Sequence, residues 1–457
     1  MIEGVRRIFS VPELRVKIFF TLILLMVCRI GSHVPVPGIN GDLALQIFRS
    51  STGGSQNLFQ LMDIFSGGAF AQMTIVALGV MPYITSSIVM QLITALSPSF
   101  QRELKETPDI GKRKQGKWTR ILTVGIAFFQ AALFAKYAVQ MNAGSPGIIV
   151  PELIEMQLFG IPCLFFMIVM CTMTAGTMLL MWIGEQISEK GIGNGISLII
   201  TIGILSSLPT TLGSILRQLN LDSQEPAQLT FSSLLVLSIV FVMIIVGTIL
   251  IIQGQRRIPL EYARRGVGKQ ESQASNAYIP LKINYAGVIP VIFASSLLMF
   301  PATLAQFVGR GNWIGQFAHL LTPGNWVYTF FYVLLIVFFT YFWTATQFHP
   351  EQIASDMKKN GAFIPGIRQG KPTQDYLEGT MNRITFAGAI FLSLIAILPM
   401  LVGKILGVDS TISQFFGGTS LLILVGVVLD TTKQIESHLL MKKYDGFMKR
   451  GRLRGRA

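Results

Sequence analysis

The sequence predicts an all-α polytopic membrane fold: ten transmembrane helices in two inverted-topology halves of five helices each. Three observations predict it. Ten apolar stretches run along the 457-residue chain, each near the ~20 residues needed to cross ~30 Å of hydrocarbon. Basic residues gather on one side of an up-and-down threading. A short motif recurs at matching places in the two halves. Composition agrees, with 51% of residues apolar and 13% charged, outside the range of ordinary soluble domains.

The spans are placed at 18–37, 73–96, 119–139, 158–183, 196–216, 229–252, 286–307, 327–347, 382–403 and 412–430. The first has a purely apolar run, Ile18 to Cys28, that ends at Arg29. No small-x-small cleavage site follows, so it reads as an uncleaved helix. The second opens on Gly79-Val80-Met81-Pro82. Between the fourth and fifth lies Gly191-Ile192-Gly193-Asn194-Gly195, read as a helix stop and a tight turn. The seventh opens on Gly287-Val288-Ile289-Pro290. These positions divide the chain into a cytoplasmic segment 1–17, an N-terminal half 18–216 with an external segment 58–70, an external linker 217–228, a C-terminal half 229–430 with cytoplasmic loops 253–285 and 347–381, and a basic tail 431–457.

Of 37 Lys and Arg, 31 fall in segments that this threading puts on one side. Basic loops stay cytoplasmic, so both termini are expected inside. The net charge of +14 is confined to loops, and orientation accounts for much of it.

Several chemistries lack their residues. Cys28, Cys163 and Cys171 lie in apolar spans without metal-ligand spacing and read as packing residues. The four histidines are scattered over different loops, so no metal site is expected. No phosphate-binding loop with Walker spacing exists, which makes any energy source external. No Asp or Glu sits in the middle of a span, although ion-coupled transporters carry such groups there. A passive small-solute facilitator of inverted-repeat design remains as the alternative; it calls for a polar midplane site. An intramembrane protease would need paired catalytic groups at depth, and the spans supply none.

The motif Gly79-Val80-Met81-Pro82, followed by Ser86-Ser87, matches Gly287-Val288-Ile289-Pro290, followed by Ser295-Ser296. Five spans per half make the halves cross in opposite directions, an inverted repeat. Pro82 and Pro290 are expected to remove a ladder hydrogen bond and kink their helices. Thr85, Ser86 and Ser295 are placed to satisfy the freed carbonyls.

These motifs have company. Phe65-Ser66-Gly67-Gly68-Ala69, Ala77-Leu78-Gly79-Val80-Met81-Pro82-Tyr83-Ile84, Gly184-Glu185-Gln186-Ile187, Gly191 to Ser197, Gln255-Arg256-Arg257-Ile258, Gly361 to Arg368 and Phe416 to Leu422 resemble the signature stretches of the SecY family, the central subunit of the bacterial protein-conducting channel. They run in order between residues 10 and 445.

The resemblance implies an hourglass pore between the two halves, with a waist of Val80, Ile84, Ile196, Ile200, Ile292 and Ile423. An apolar constriction resists water and ions by dewetting and still yields to a passing chain. The four-residue spacing of Val80/Ile84 and Ile196/Ile200 places each pair on one helix face. The external segment becomes a plug, with Leu58, Leu61, Met62 and Phe65 at helical spacing and Gly67-Gly68 allowing a reversal. Spans 2 and 7, with 3 and 8, become a lateral gate, with Pro82, Ser86, Gln91, Gln130, Pro290, Ser295 and Thr303 along the seam.

The basic cytoplasmic loops carry Arg256, Arg257, Arg264, Arg265, Lys358, Lys359 and Arg368. They suit the motor ATPase SecA or the phosphates of ribosomal RNA. Arg368, framed by Pro365-Gly366 and Gly370, is the loop residue singled out as critical. The tail from Lys442 to Arg456 is expected to be disordered and to meet anionic lipids. Further implied partners are SecE-like and SecG-like small membrane subunits, signal sequences and nascent chains. The implied location is the bacterial plasma membrane, and the resemblance implies neither a cofactor nor an enzymatic activity.

Overall fold

A computed structural model of the chain describes residues 11–51, 58–155, 162–218, 231–262, 277–308, 320–321, 325–406 and 419–450. The helices in chain order are α1 (Pro12–Gly31), α2 (Gly41–Ser51), α3 (Leu58–Ser66), α4 (Met81–Leu96), α5 (Pro98–Glu106), α6 (Pro108–Gly144), α7 (Pro151–Glu155), α8 (Cys163–Lys190), α9 (Gly195–Ser206), α10 (Leu208–Gln218) and α11 (Phe231–Gln253), then α12 (Ile289–Val308), α13 (Trp326–Gln347), α14 (Pro350–Lys359), α15 (Lys371–Leu406) and α16 (Thr419–Arg450). Strands β1 (Gln255–Tyr262) and β2 (Ala277–Lys282) follow α11, and β3 (Ala362–Phe363) follows α14.

Six helical segments among the described residues are long and apolar enough to cross a membrane: α6, α8, the α9–α10 pair, α11, α13 with α14, and α15. Two apolar helices, α4 and α12, are shorter. The other two expected spans fall on α1 and α16, which carry charged residues along their length. Large apolar side chains point outward, as Leu235, Ile239, Val242, Met243, Val246 and Leu250 do on α11. An outward apolar face with backbone bonds satisfied inside each helix is what hydrocarbon demands.

α4, α6, α8 and α9 pack in series, and so do α12, α13, α15 and α11. The two series meet where α4 touches α12 and where α9 touches α16. One continuous hydrophobic cluster occupies that meeting region, and a second fills the space around α2, α6 and α8.

Several sequence expectations change. The second span does not become a helix until Met81, because residues 67–80 form successive turns. Pro82 is the second residue of α4 and Pro290 the second of α12. A proline in the first turn lacks an N–H that would be unbonded there anyway, so neither removes a ladder bond nor kinks its helix. The helix-interior prolines are Pro301 in α12 and Pro399 in α15.

The first helix starts earlier and stops at Gly31, ahead of Pro35 and Pro37. The fifth span breaks at Ser207, just before Leu208-Pro209. The basic tail is not disordered through its length: α16 continues to Arg450 as one helix of 32 residues. Cys28 is buried, whereas Cys163 and Cys171 are exposed on the apolar surface rather than packed inside.

The two loops expected on the cytoplasmic side are one body. β1 pairs antiparallel with β2, Ile258 opposite Ile279, and with β3, Glu261 opposite Phe363. Beneath this sheet Ile258, Leu281, Phe348, Met357, Ile364, Leu377 and Met381 form a separate small core. No alternating pattern long enough to announce a sheet exists in these loops. Pro280 lies on the edge strand β2, and Pro259 lies in the part of the central strand β1 that pairs with β2 alone, since β3 reaches only Glu261 and Tyr262. Both prolines thus sit where one side of the strand is unpaired.

Candidate functional site

The six predicted waist residues come from four helices. Val80 is 4% exposed, Ile84 5%, Ile200 2%, Ile292 7% and Ile423 0%; Ile196 is half-buried. All belong to, or pack on, the cluster at the meeting of the two helix series. Each lies at or near the described start of its helix. Val80 caps α4 and accepts the Ile84 N–H at 3.1 Å. It therefore stands just outside the helix that carries Ile84, rather than on one face of it. Ile292 N–H is bonded to the Val288 carbonyl at 3.3 Å in the same way.

α9 owes its start to Asn194, whose Oδ1 accepts the N–H groups of Ile196 and Ser197. The glycine-rich turn before it is a structural junction, as its sequence suggests. Ile192 N–H donates to Thr21 Oγ1 on α1 at 3.1 Å, and Gly193 N–H donates to Gln434 Oε1 on α16 at 2.8 Å. The turn thus ties the helix that carries Ile196 and Ile200 to the helix that carries Ile423.

α3, the predicted plug helix, is not laid on the outer surface. It packs against α9 and α12, with Ile64 and Phe65 buried in the cluster that holds the six aliphatic residues. Met62 lies at the border of both main clusters. Leu58 and Leu61 fall on α3, but their side chains lie outside the described atoms. The helix ends in a reversal: Gly67 and Gly68 adopt φ +69° and +88°, conformations that glycine alone takes without penalty. Asp63 fixes the turn by accepting the Ala71 N–H at 2.8 Å, and Ser66 Oγ accepts the Phe70 N–H at 3.0 Å.

Three residues at this contact carried no functional assignment from the sequence. Gly203 on α9 lets α3 approach, since a Cβ there would lie 2.9 Å from the Phe65 carbonyl. Ser206 Oγ lies 3.3 Å from the Gly67 carbonyl. Arg29 Nη1 donates to that same carbonyl at 3.1 Å. Only Arg29 left a sequence signal, as a charge inside an apolar span.

The seam between α4 and α12 is flanked by α6 and α13. The described hydroxyls placed there, Ser86 and Ser295, do not bridge it. Ser86 Oγ donates to Pro82 O at 2.7 Å, and Ser295 Oγ donates to Ile292 O at 2.9 Å, each within its own helix. Gln91 Nε2 donates to Ser87 Oγ at 3.0 Å. The side-chain oxygens of Gln91 and Gln130 are buried without a hydrogen-bond partner among the described residues. Thr303 falls on α12, its side chain outside the described atoms. The described polar side chains of the seam thus bond within their own helices, and two amide oxygens have no partner among the described residues. Gln130 faces a small cavity shared with Phe59, Met62, Phe70 and Tyr137.

On the side that carries the β-sheet, Arg256 and Arg257 project from β1, the latter over the Tyr278 ring at 4.8 Å. Lys358 and Lys359 end α14, where Lys359 pairs with Asp356 at 3.5 Å. Arg368 is exposed in a turn held by Ile367 N–H to Ile364 O and by Thr373 Oγ1 to the Arg368 carbonyl. Arg264 and Arg265 lie outside the described residues. At the membrane end of the same side, Arg120 clamps both Glu185 oxygens, at 3.1 and 2.8 Å. The described residues hold no His/Cys/Asp/Glu group able to bind a metal ion.

Comparisons with known proteins agree on one family. The family model described as SecY matches residues 74–432. The chain is 61% identical to the protein translocase subunit SecY of Chlamydia muridarum, over 99% of both chains. It is 43% identical to that of Aquifex aeolicus, over 98% of this chain and 100% of the other. Among solved structures it is similar to one described as "The structure of a protein conducting channel", at 21% identity and a TM-score of 0.63, covering 92% of this chain and 91% of that one. A second, Sec61 in a canine ribosome-channel complex, matches at 20% identity and a TM-score of 0.60 over the same shares. A full-length match at this identity, on a helical fold shared with protein-conducting channels, shows that the chain belongs to the SecY family.

Proposed function

We propose that this chain passes unfolded secretory polypeptides across a bacterial plasma membrane and releases hydrophobic segments sideways into the bilayer. Ten spans in two inverted five-helix halves enclose the pore; the two packed helix series support that layout. The domain limits are those drawn from the sequence, with both termini cytoplasmic. The waist is the aliphatic set Val80, Ile84, Ile196, Ile200, Ile292 and Ile423, α3 is the plug, and the α4–α12 seam is the lateral gate. The cytoplasmic body around β1–β3 binds SecA or the ribosome through Arg256, Arg257, Lys358, Lys359 and Arg368. SecE-like and SecG-like subunits complete the assembly, and anionic lipids meet the basic end of α16.

One observation carries the reading: six aliphatic side chains from four helices share a cluster with a short helix docked by glycine contacts. A constriction of such side chains can seal and it can yield. A photo-crosslinker at position 84 or 292 tests it. It captures a secretory chain arrested in transit, while the same probe at outward-facing Ile239 does not. An arrested chain that touches neither 84 nor 292 overturns the proposal.

A further inference from the structure

Arg29 is a permanent cation near the end of α1, just after the apolar run Ile18 to Cys28, half-buried and turned into the protein. Charges at membrane depth are retained for a purpose, and the partner names it. Here the partner is the Gly67 carbonyl, at 3.1 Å from Nη1. That carbonyl lies just past the C-terminal end of α3, where the aligned peptide dipoles leave partial negative charge. A guanidinium bond to it is charge-assisted and stronger than a neutral one.

The competing donor is weaker. Ser206 Oγ is 3.3 Å from Gly67 O but 2.6 Å from Gly203 O. A hydroxyl has one proton, and the nearer carbonyl takes it. Arg29 is therefore the principal side-chain donor to α3's terminal carbonyl. The fit is close on every side: a Cβ at Gly67 would meet Arg29 Nη1 at 2.5 Å, and Gly203 Cα and Ser206 Oγ at 2.8 Å. Arg29 belongs to α1 and Gly203 and Ser206 to α9, so the end of α3 is held between two helices by one strong bond and a glycine contact. A single part-buried bond of this kind can hold a plug in place and is released in one step.

We propose that Arg29 is the latch that holds α3 in place, and that it sets how effective a signal sequence must be to open the channel; the proposal rests on reading α3 as the plug. The alternative, that Arg29 only orients α1 in the membrane, predicts no change in sealing once the protein is assembled.

The test uses the full-length chain in its assembled membrane complex, reconstituted in planar bilayers. Arg29→Met removes the bond and the charge. It should raise the resting ion conductance by at least about tenfold, the lower end of the factor for losing one charge-assisted hydrogen bond. It should also let preproteins with defective signal sequences be exported. Arg29→Lys keeps a cation with donors and should fall between Arg29→Met and the unaltered chain, which guards against a Met variant that assembles poorly. Removing residues 58–66 is the control. With the plug gone, Arg29→Met should add nothing. If the deletion leaks and both Arg29 variants stay sealed with unchanged selectivity, the latch is wrong and the plug stands. If the deletion itself leaves the membrane sealed, the plug reading has failed instead.

Discussion

Gly79 and Gly287 take the same left-handed backbone angle, φ +58° and +59°. Each stands two residues before a helix that has proline as its second residue. After each, the same pattern of bonds follows: Ile84 N–H to Val80 O and Ile292 N–H to Val288 O. The repeated motif thus builds one local device twice, a glycine turn that aims a short helix bearing an isoleucine of the central cluster. This local identity is the strongest structural support for two related halves.

Gly287→Ala should strain that turn. Nothing lies within 4 Å of a Cβ built there, so the penalty is conformational alone, about 1–2 kcal/mol for an L-residue in the left-handed region. Thermal unfolding of the purified complex should shift down. An unchanged melting temperature would show that the backbone relaxes and the glycine is dispensable.

Ile423→Asn places an amide where the native side chain is 0% exposed. The unsatisfied polar group costs about 1–3 kcal/mol if dry, and the region relieves it by admitting water. Ion leakage in planar bilayers and export of preproteins with weakened signals should both rise. Wild-type conductance would remove Ile423 from the waist.

Gly203→Ala pushes a methyl to within 2.9 Å of the Phe65 carbonyl, a backbone atom with little room to move. α3 should sit displaced, raising resting conductance without altering the waist itself. A variant as tightly sealed as the parent would mean that α3 docks elsewhere.

Gln434→Leu removes the acceptor of the Gly193 N–H, whereas Gln434→Glu keeps an acceptor oxygen at the same reach. The loss of one part-buried bond is worth about 1 kcal/mol. Amide hydrogen exchange at Gly193–Gly195 should quicken in the Leu variant and not in the Glu variant. Equal exchange in both would separate α16 from the start of α9.

Arg368→Glu reverses a charge in a turn whose hydrogen bonds are made by backbone and by Thr373, not by the guanidinium. The complex should assemble at normal levels yet lose SecA-driven preprotein transport. Normal translocation would take Arg368 out of the docking surface.

What was legible in the sequence follows from chemistry that acts along the chain. Hydrocarbon tolerates no unpaired backbone and few charges, so span lengths, basic loops and the missing midplane acids announce a polytopic membrane protein. Glycine at positive φ and Asn at a helix start are equally local, which is why the turn at Gly191–Gly195 reads correctly.

Pro82 and Pro290 mark the limit. Proline in an apolar run signals a kink if the helix has already begun and a start if it has not, and only the turns at 67–80 decide between them. The same holds for Ser86 and Ser295, which face their own helices' carbonyls rather than a neighbour. Arg29 on Gly67, Gln434 on Gly193 and β1 on β3 join residues far apart in the chain. Such contacts depend on which surfaces meet after packing, and packing is a property of the whole molecule. By itself the sequence determined class, motifs and family; the tertiary structure alone decided which helix ends converge, what touches the end of α3, and that two basic loops fold as one body.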